Sequence, residues 1–179
     1  MMEFLDVVDE NGMPTGETVE RSAAHANGIR HRTSHVWLLR RRSEGVEVLL
    51  QKRSDNKDSF PGCYDTSSAG HIPAGVDFED SALRELREEL GLTADATELN
   101  DCGLIRIQSE SFFHGKPFKD NQISKVFYLL KDVEPEQMQL QDSEVSGVLW
   151  LPLDECRRRV RDNSMPHCIL PEELDMLPF

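Results

Sequence analysis

No run of apolar residues in this 179-residue chain approaches the roughly 18 to 20 that a helix needs to cross a bilayer, although hydrophobic residues make up 38% of it. A membrane-spanning helix is therefore not expected. Basic residues are scarce: 20 Lys and Arg stand against 33 Asp and Glu, a formal net charge of −13. Such a surface field repels phosphate backbones, which argues against polymeric nucleic acid as a partner. It leaves room for a small phosphorylated ligand screened by divalent cations. The four cysteines, Cys63, Cys102, Cys156 and Cys168, form no C-x-x-C pair, so neither a zinc knuckle nor a dithiol redox motif is indicated. Met1 through Val8 lacks the basic-then-apolar pattern of a secretory signal. The expectation is a cytoplasmic protein with reduced thiols.

Repeats and low-complexity segments are also missing, and the elements alternate. Phe4–Val8 and Glu17–Val19 flank the turn-forming Asp9-Glu10-Asn11-Gly12, which predicts an N-terminal hairpin. His35–Leu39 and Val46–Gln51, separated by Ser43-Glu44-Gly45, predict a second hairpin in the core sheet. A polar loop from Ser54 to Pro61 leads to the small-residue segment Thr66–Gly70. Asp77 is placed to cap a helix over Phe78–Leu90, with Gly91 as its stop. Leu104–Gln108, Val126–Leu130 and Val148–Leu151 read as strands and Asp154–Val160 as a second helix. This order predicts an α+β fold in which a mixed sheet lies between helices. Residues 1–25 form a hairpin appendage and 26–179 the main domain of a single compact unit.

The chemistry concentrates on the helix at 78–90. Glu85, Glu88 and Glu89 stand at i, i+3 and i+4 and so share one edge. Like charges at that spacing repel, and two of the three lie near the negative end of the helix dipole. A bound cation reverses both penalties, and carboxylate oxygens suit Mg²⁺ or Mn²⁺. The plainer alternative is a solvated face on which Arg84 pairs with Glu88.

The stretch Gly70 to Leu92 resembles the Nudix box, G-x5-E-x7-R-E-U-x-E-E-x-G-U with U aliphatic. Gly70, Arg84, Glu85, Leu86, Glu88, Glu89, Gly91 and Leu92 match, and Val76 stands where the first glutamate belongs. The resemblance implies an α/β/α sandwich with a catalytic loop-helix-loop. It also implies hydrolysis of a diphosphate bridge in a small metabolite, such as a nucleoside diphosphate linked to another moiety. Glu85, Glu88 and Glu89 would bind the catalytic ions with the Gly70 carbonyl. Glu88, Glu89 or Glu144, the last in the loop before Val148, would serve as base. Valine at 76 would leave Arg84 without a supporting carboxylate, a role that Asp77 or Glu79 would take over.

Beyond the box, His25, Arg30-His31-Arg32, Leu50-Gln51-Lys52-Arg53-Ser54, Lys57, Ala69-Gly70-His71 and Leu149-Trp150-Leu151 resemble the branch of the family that contains isopentenyl-diphosphate isomerase. That likeness implies a diphosphate grip by Arg53 and Lys57. It also implies a second metal site of His25, His31 and His71 with Asp120, for which ordinary hydrogen-bonding histidines in a cleft are the preferred reading. Ala69 and Gln122 occupy the positions of the isomerase's cysteine and glutamate. Neither side chain can exchange protons with an alkene, so isomerase activity is not expected. A non-catalytic metabolite-binding module is the remaining alternative. The sequence leaves substrate identity, and the choice between monomer and homodimer, open.

Overall fold

The structure, a computed structural model, describes residues 2–179. Its frame is a seven-stranded mixed sheet. Strand β3 (His31–Arg42) is the hub. One edge runs parallel to β8 (Lys116–Leu130), from His31 opposite Gln122 to Leu39 opposite Leu130. The other edge is shared, antiparallel, by β6 (Ser68–His71) and β4 (Gly45–Arg53). β7 (Asn100–Phe113) extends the sheet beyond β8, while β5 (Tyr64–Asp65) and β9 (Val145–Pro152) flank β4.

Both faces of β3 are covered, so its residues are buried almost without interruption. Val36 and Leu38 meet Leu49, Phe127 and Leu129, together with Ala82, Leu86 and Leu90 of α2 (Phe78–Leu90). Trp37 and Leu39 face the other way, toward Cys156 and Val160 of α3 (Leu153–Arg161) and Leu174 of α4 (Pro171–Asp175). By the same alternation His31, Thr33 and His35 lie on the Trp37 side. Strand parity thus puts histidines and a core tryptophan on one face.

The predicted helix over 78–90 has those bounds. Gly91 closes it at φ 69°, where an added Cβ would press on Gln139. Asp77 sits at the cap position with extended backbone, but its carboxylate makes no cap hydrogen bond. β7 and β8 run well past their apolar centres because backbone pairing continues to Phe113 opposite Lys116, across a turn with His114 at φ 50° and Gly115 at φ 74°. The helix α1 (Arg21–Asn27), the short strands β5 and β6, and α4 are additions to the elements that the sequence predicts.

The N-terminal hairpin, β1 (Phe4–Val8) with β2 (Pro14–Glu20), forms its own two-stranded sheet. It docks on the loop that precedes α2. Leu5 bridges Pro73, and the Ala74 amide donates to Phe4 O at 2.8 Å. Among the described residues no helix is long and apolar enough to cross a membrane.

Candidate active site

β6 and α2 meet where the glutamates are. Glu89 is 3% exposed, and its Oε2 accepts from Ser68 Oγ at 2.8 Å, the Ala69 amide at 3.2 Å and Gln51 Nε2 at 3.2 Å. It is therefore not part of a solvated flank. Burial, reinforced by Glu85, raises its pKa to about 7. Glu85 accepts from Arg84 at 2.5 Å, yet burial still pushes its carboxyl above the usual range. Glu88 is the most exposed of the three, 3.9 Å from Arg84 Nε. Gly70 is required by space, since a Cβ there would fall inside the Glu85 carboxyl. The site holds a buried carboxylate, Glu89, and a partly buried one, Glu85, the latter pressed against the Gly70 backbone with Arg84 beside it.

Arg84 also donates to His71 O at 3.2 Å and Ser81 Oγ at 3.3 Å. Neither Asp77 nor Glu79 is among its partners in the described residues, so the expected replacement for the missing box glutamate is not made there. The loop is fastened differently. Arg32 donates to Val76 O at 3.0 Å and to Asp6 Oδ2 at 2.9 Å, and Asp6 Oδ2 also accepts the Gly75 amide at 2.9 Å. Asp6, from the hairpin, secures the backbone that the glutamate's absence leaves loose. Asp6→Asn keeps an acceptor and loses the charge, and is expected to cost about 2 kcal/mol in a urea melt. An unchanged midpoint would show that the hairpin does not brace this loop.

The basic pair is not free. Arg53 donates through NH1 to Asp65 Oδ2 at 2.8 Å, and through NH2 and Nε to Ser59 O at 2.9 and 3.1 Å. In this structure its fork is engaged within the protein. Burial opposes ionisation in both partners, but the pairing prevails: Asp65 is held below the usual carboxylate range and Arg53 above its own. Lys57 pairs with the Glu144 carboxylate, tying the 54–62 loop to the segment before β9.

His25, His31 and His71 come together, each offering a nitrogen within 4.8 Å of the others. His25 Nε2 and His71 Nε2 face each other at 2.9 Å, and His25 Nδ1 lies 3.7 Å from Asp120 Oδ1. His31 Nδ1 donates to Ile29 O at 2.8 Å. His25 Nδ1, His31 Nε2 and Asp120 Oδ1 are buried without a hydrogen-bond partner. Burial lowers all three imidazoles, His25 to about 4 and His71 well below the ordinary value, so they stand neutral, the form that ligates metals. Gln122 donates to Asp120 and accepts from Thr33 Oγ1 at 2.8 Å.

A cavity of about 1050 Å³ joins these groups, with Glu85, Glu89, Lys57 and Glu144 at one part of its wall and His35, Trp37 and Glu173 at another. Sequence reasoning missed His35 and Glu173. The parity that groups His31, Thr33, His35 and Trp37 was available in the sequence; Glu173, far along the chain, carried no local signal.

A mixed sheet with a glutamate-edged helix packed beside a glycine strand defines a Nudix-fold enzyme. The chain belongs to the Nudix hydrolases: the NUDIX domain model matches residues 29–168. It is 37% identical over 156 residues to an uncharacterized Nudix hydrolase of Clostridium acetobutylicum, covering 87% of this chain and 73% of that one. It is 39% identical over 159 residues to Nudix hydrolase 3 of Arabidopsis thaliana, where it spans 87% of its own length and 20% of the plant protein. A crystal structure of a Deinococcus radiodurans protein superposes with a TM-score of 0.72 at 21% identity, covering 99% of this chain and 100% of that one. The family is typically dependent on a divalent metal and implies a small-molecule diphosphate substrate.

Proposed function

We propose that this chain hydrolyses the diphosphate linkage of a small phosphorylated metabolite with Mg²⁺ or Mn²⁺. The observation that carries the reading is the pair Glu89, buried, and Glu85, partly buried, which repel each other while Arg84 offsets Glu85 and Lys57 offsets Glu89. Crowded carboxylates of this kind fit a divalent cation, and the Gly70 backbone lies directly against the Glu85 carboxyl. Glu85, Glu88, Glu89 and the Gly70 carbonyl would hold it. When bound, the ion neutralises charge on the phosphate oxygens and makes water more acidic. Glu89, with a pKa of about 7, is poised to take a proton at neutral pH. Glu88 and Glu144 are the other bases in reach of the cavity wall. Lys57 is placed to meet phosphate oxygens, and Arg53 acts through the loop it holds. Phosphate release from a panel of diphosphates, with and without Mg²⁺, tests the reading; no release from any member would overturn it.

The likeness to the isomerase branch rests on the sequence runs alone. Ala69 and Gln122 leave that reaction without its acid-base pair. We carry over the histidine site, supported by three neutral imidazoles and three unpartnered buried atoms, a donor set suited to Zn²⁺ or Mn²⁺. His31→Ala is expected to remove one equivalent of tightly held metal per chain, read by elemental analysis after dialysis. Equal metal content in both proteins would return the histidines to a hydrogen-bonding role. The hairpin at 1–25 is proposed to work as part of the same unit as 26–179.

A further inference from the structure

Glu173 is a carboxylate with 3% exposure, brought by α4 to the cavity wall, where one oxygen accepts from both Trp37 Nε1 at 2.9 Å and His35 Nδ1 at 2.8 Å. A buried charge is costly, and a tryptophan N–H alone would be satisfied by a neutral acceptor. What the carboxylate adds is control of His35. Anchored through Nδ1, the ring has its orientation fixed and its Nε2 edge directed toward Thr33 Oγ1. That contact is 3.5 Å, too long for a good hydrogen bond, and the Thr33 hydroxyl is already engaged with Gln122 at 2.8 Å and Ser124 at 2.6 Å. Nε2 is thus held in place without an adequate hydrogen-bond partner, an acceptor in the neutral ring and a donor in the imidazolium. Burial would pull the His35 pKa down, but Glu173, with smaller contributions from Asp65 and Asp120, more than offsets this.

The position of His35 indicates what it meets. It pairs across strands with Ala69, whose amide binds Glu89 and whose neighbour is Gly70. Glu85, Glu89, Lys57 and His35 line the same cavity, so a diphosphate seated against the first three can extend the group it carries toward His35. The surrounding wall combines Trp37, Ile105 and Ile107 with Thr33 and Gln122. Apolar faces beside fixed hydrogen-bonding groups suit a ring with oxygen substituents. An all-carbon chain would leave those groups desolvated and unpaired, which is the stronger form of discrimination.

We propose that His35, oriented by Glu173, is a substrate-binding and specificity-determining residue: its Nε2 makes a hydrogen bond with a hydroxyl of the group carried on the diphosphate. The substrate is then a diphosphate of an oxygen-rich group such as a sugar, not of an alkyl or isoprenoid chain. This rests on the diphosphate-hydrolase reading of the site. Glu173 is the positioning residue.

The test uses the full chain with Mg²⁺ and three probes: a nucleoside diphosphate sugar, isopentenyl diphosphate, and methyl diphosphate, which has no group to reach His35. Wild type should prefer the sugar probe over isopentenyl diphosphate by about tenfold or more in kcat/KM. His35→Ala should raise KM for the sugar probe about tenfold with kcat within about threefold, and Glu173→Gln should raise it less. His35→Gln, which keeps a hydrogen-bonding group, should recover part of the loss and serves if the alanine variant misfolds. KM for methyl diphosphate should be unchanged in all three. Equal use of the isopentenyl probe, an unmoved sugar KM, or a parallel rise for methyl diphosphate would each overturn the assignment. If no probe is turned over, the hydrolase reading fails separately. Calorimetric binding of the sugar probe then decides this proposal: weakening by His35→Ala supports it, while undiminished or absent binding overturns it.

Discussion

Glu89→Gln or Glu88→Gln is expected to lower kcat at saturating Mg²⁺ by at least about a hundredfold, some 2.7 kcal/mol of transition-state stabilisation. The two substitutions reach the same activity by different structural routes. Glu88 is half exposed, so its loss should leave the thermal melt unchanged. Glu89 is internal and holds Ser68, Ala69 and Gln51. An amide of the same shape, with its oxygen in the Oε2 position, still accepts from all three. The fold should persist, as circular dichroism will show. A wild-type rate in either variant would remove that residue from the catalytic cluster.

Glu89 also makes the metal-free protein sensitive to pH. Its pKa is about 7 in the fold and about 4.3 in an unfolded chain. Between those values the folded state keeps a proton that the unfolded state has released, so this group's stabilising contribution is full below about pH 4.3 and is lost as pH rises through about 7. The loss is on the order of 3 kcal/mol. His25, lowered to about 4, acts in the opposite sense between about pH 4 and 6.5, so a wild-type melt alone mixes the two. The difference between wild type and Glu89→Gln isolates the carboxylate. In EDTA the variant's advantage in Tm should widen from pH 5.5 to pH 8, and Mg²⁺ should narrow it by binding wild type preferentially. A gap that does not change with pH would mean that Glu89 titrates normally.

What the sequence disclosed follows from the range of the forces involved. The bounds of α2 were legible because Asp77, Gly91 and the spacing of Ala82, Leu86 and Leu90 act within a turn or two. Three glutamates at helical spacing pointed to the proposed metal-binding edge for the same reason. The seven residues of α1 and five of α4 are too short to show a period, and are held by packing against distant elements. Thr66 to Gly70 is made of small residues that carry no strand signal, yet Ser68–His71 pairs with β3, and Gly70 there admits the Glu85 side chain. The brace of Asp6 on Gly75 and the grip of Glu173 on His35 join segments far apart in the chain. No local pattern announces such contacts. The long-range partner also redefines the role of Arg53, whose sequence context points to phosphate while Asp65 holds its fork.

Arg53→Ala is accordingly expected to act first on stability. Removing the guanidinium strands Asp65, a carboxylate with 15% side-chain exposure, and breaking one side of a buried pair costs about 3 to 5 kcal/mol. It also releases Ser59 O, by which Arg53 holds the loop carrying Lys57. Activity should fall through KM as that lysine loses its position. Lys57→Ala separates the two effects: its partner Glu144 is 36% exposed, so the melt should move by no more than about 1 kcal/mol while KM rises. Arg53→Lys keeps a charge but cannot make the three contacts of the fork, and should recover only part of the stability. A double-mutant cycle of Arg53→Ala with Asp65→Ala, read by urea denaturation, should give a coupling energy above about 2 kcal/mol. The opposite pattern, a normal melt for Arg53→Ala with KM raised more than in Lys57→Ala, would require the guanidinium to leave Asp65 when substrate arrives. It would then restore the direct phosphate grip that the sequence runs imply.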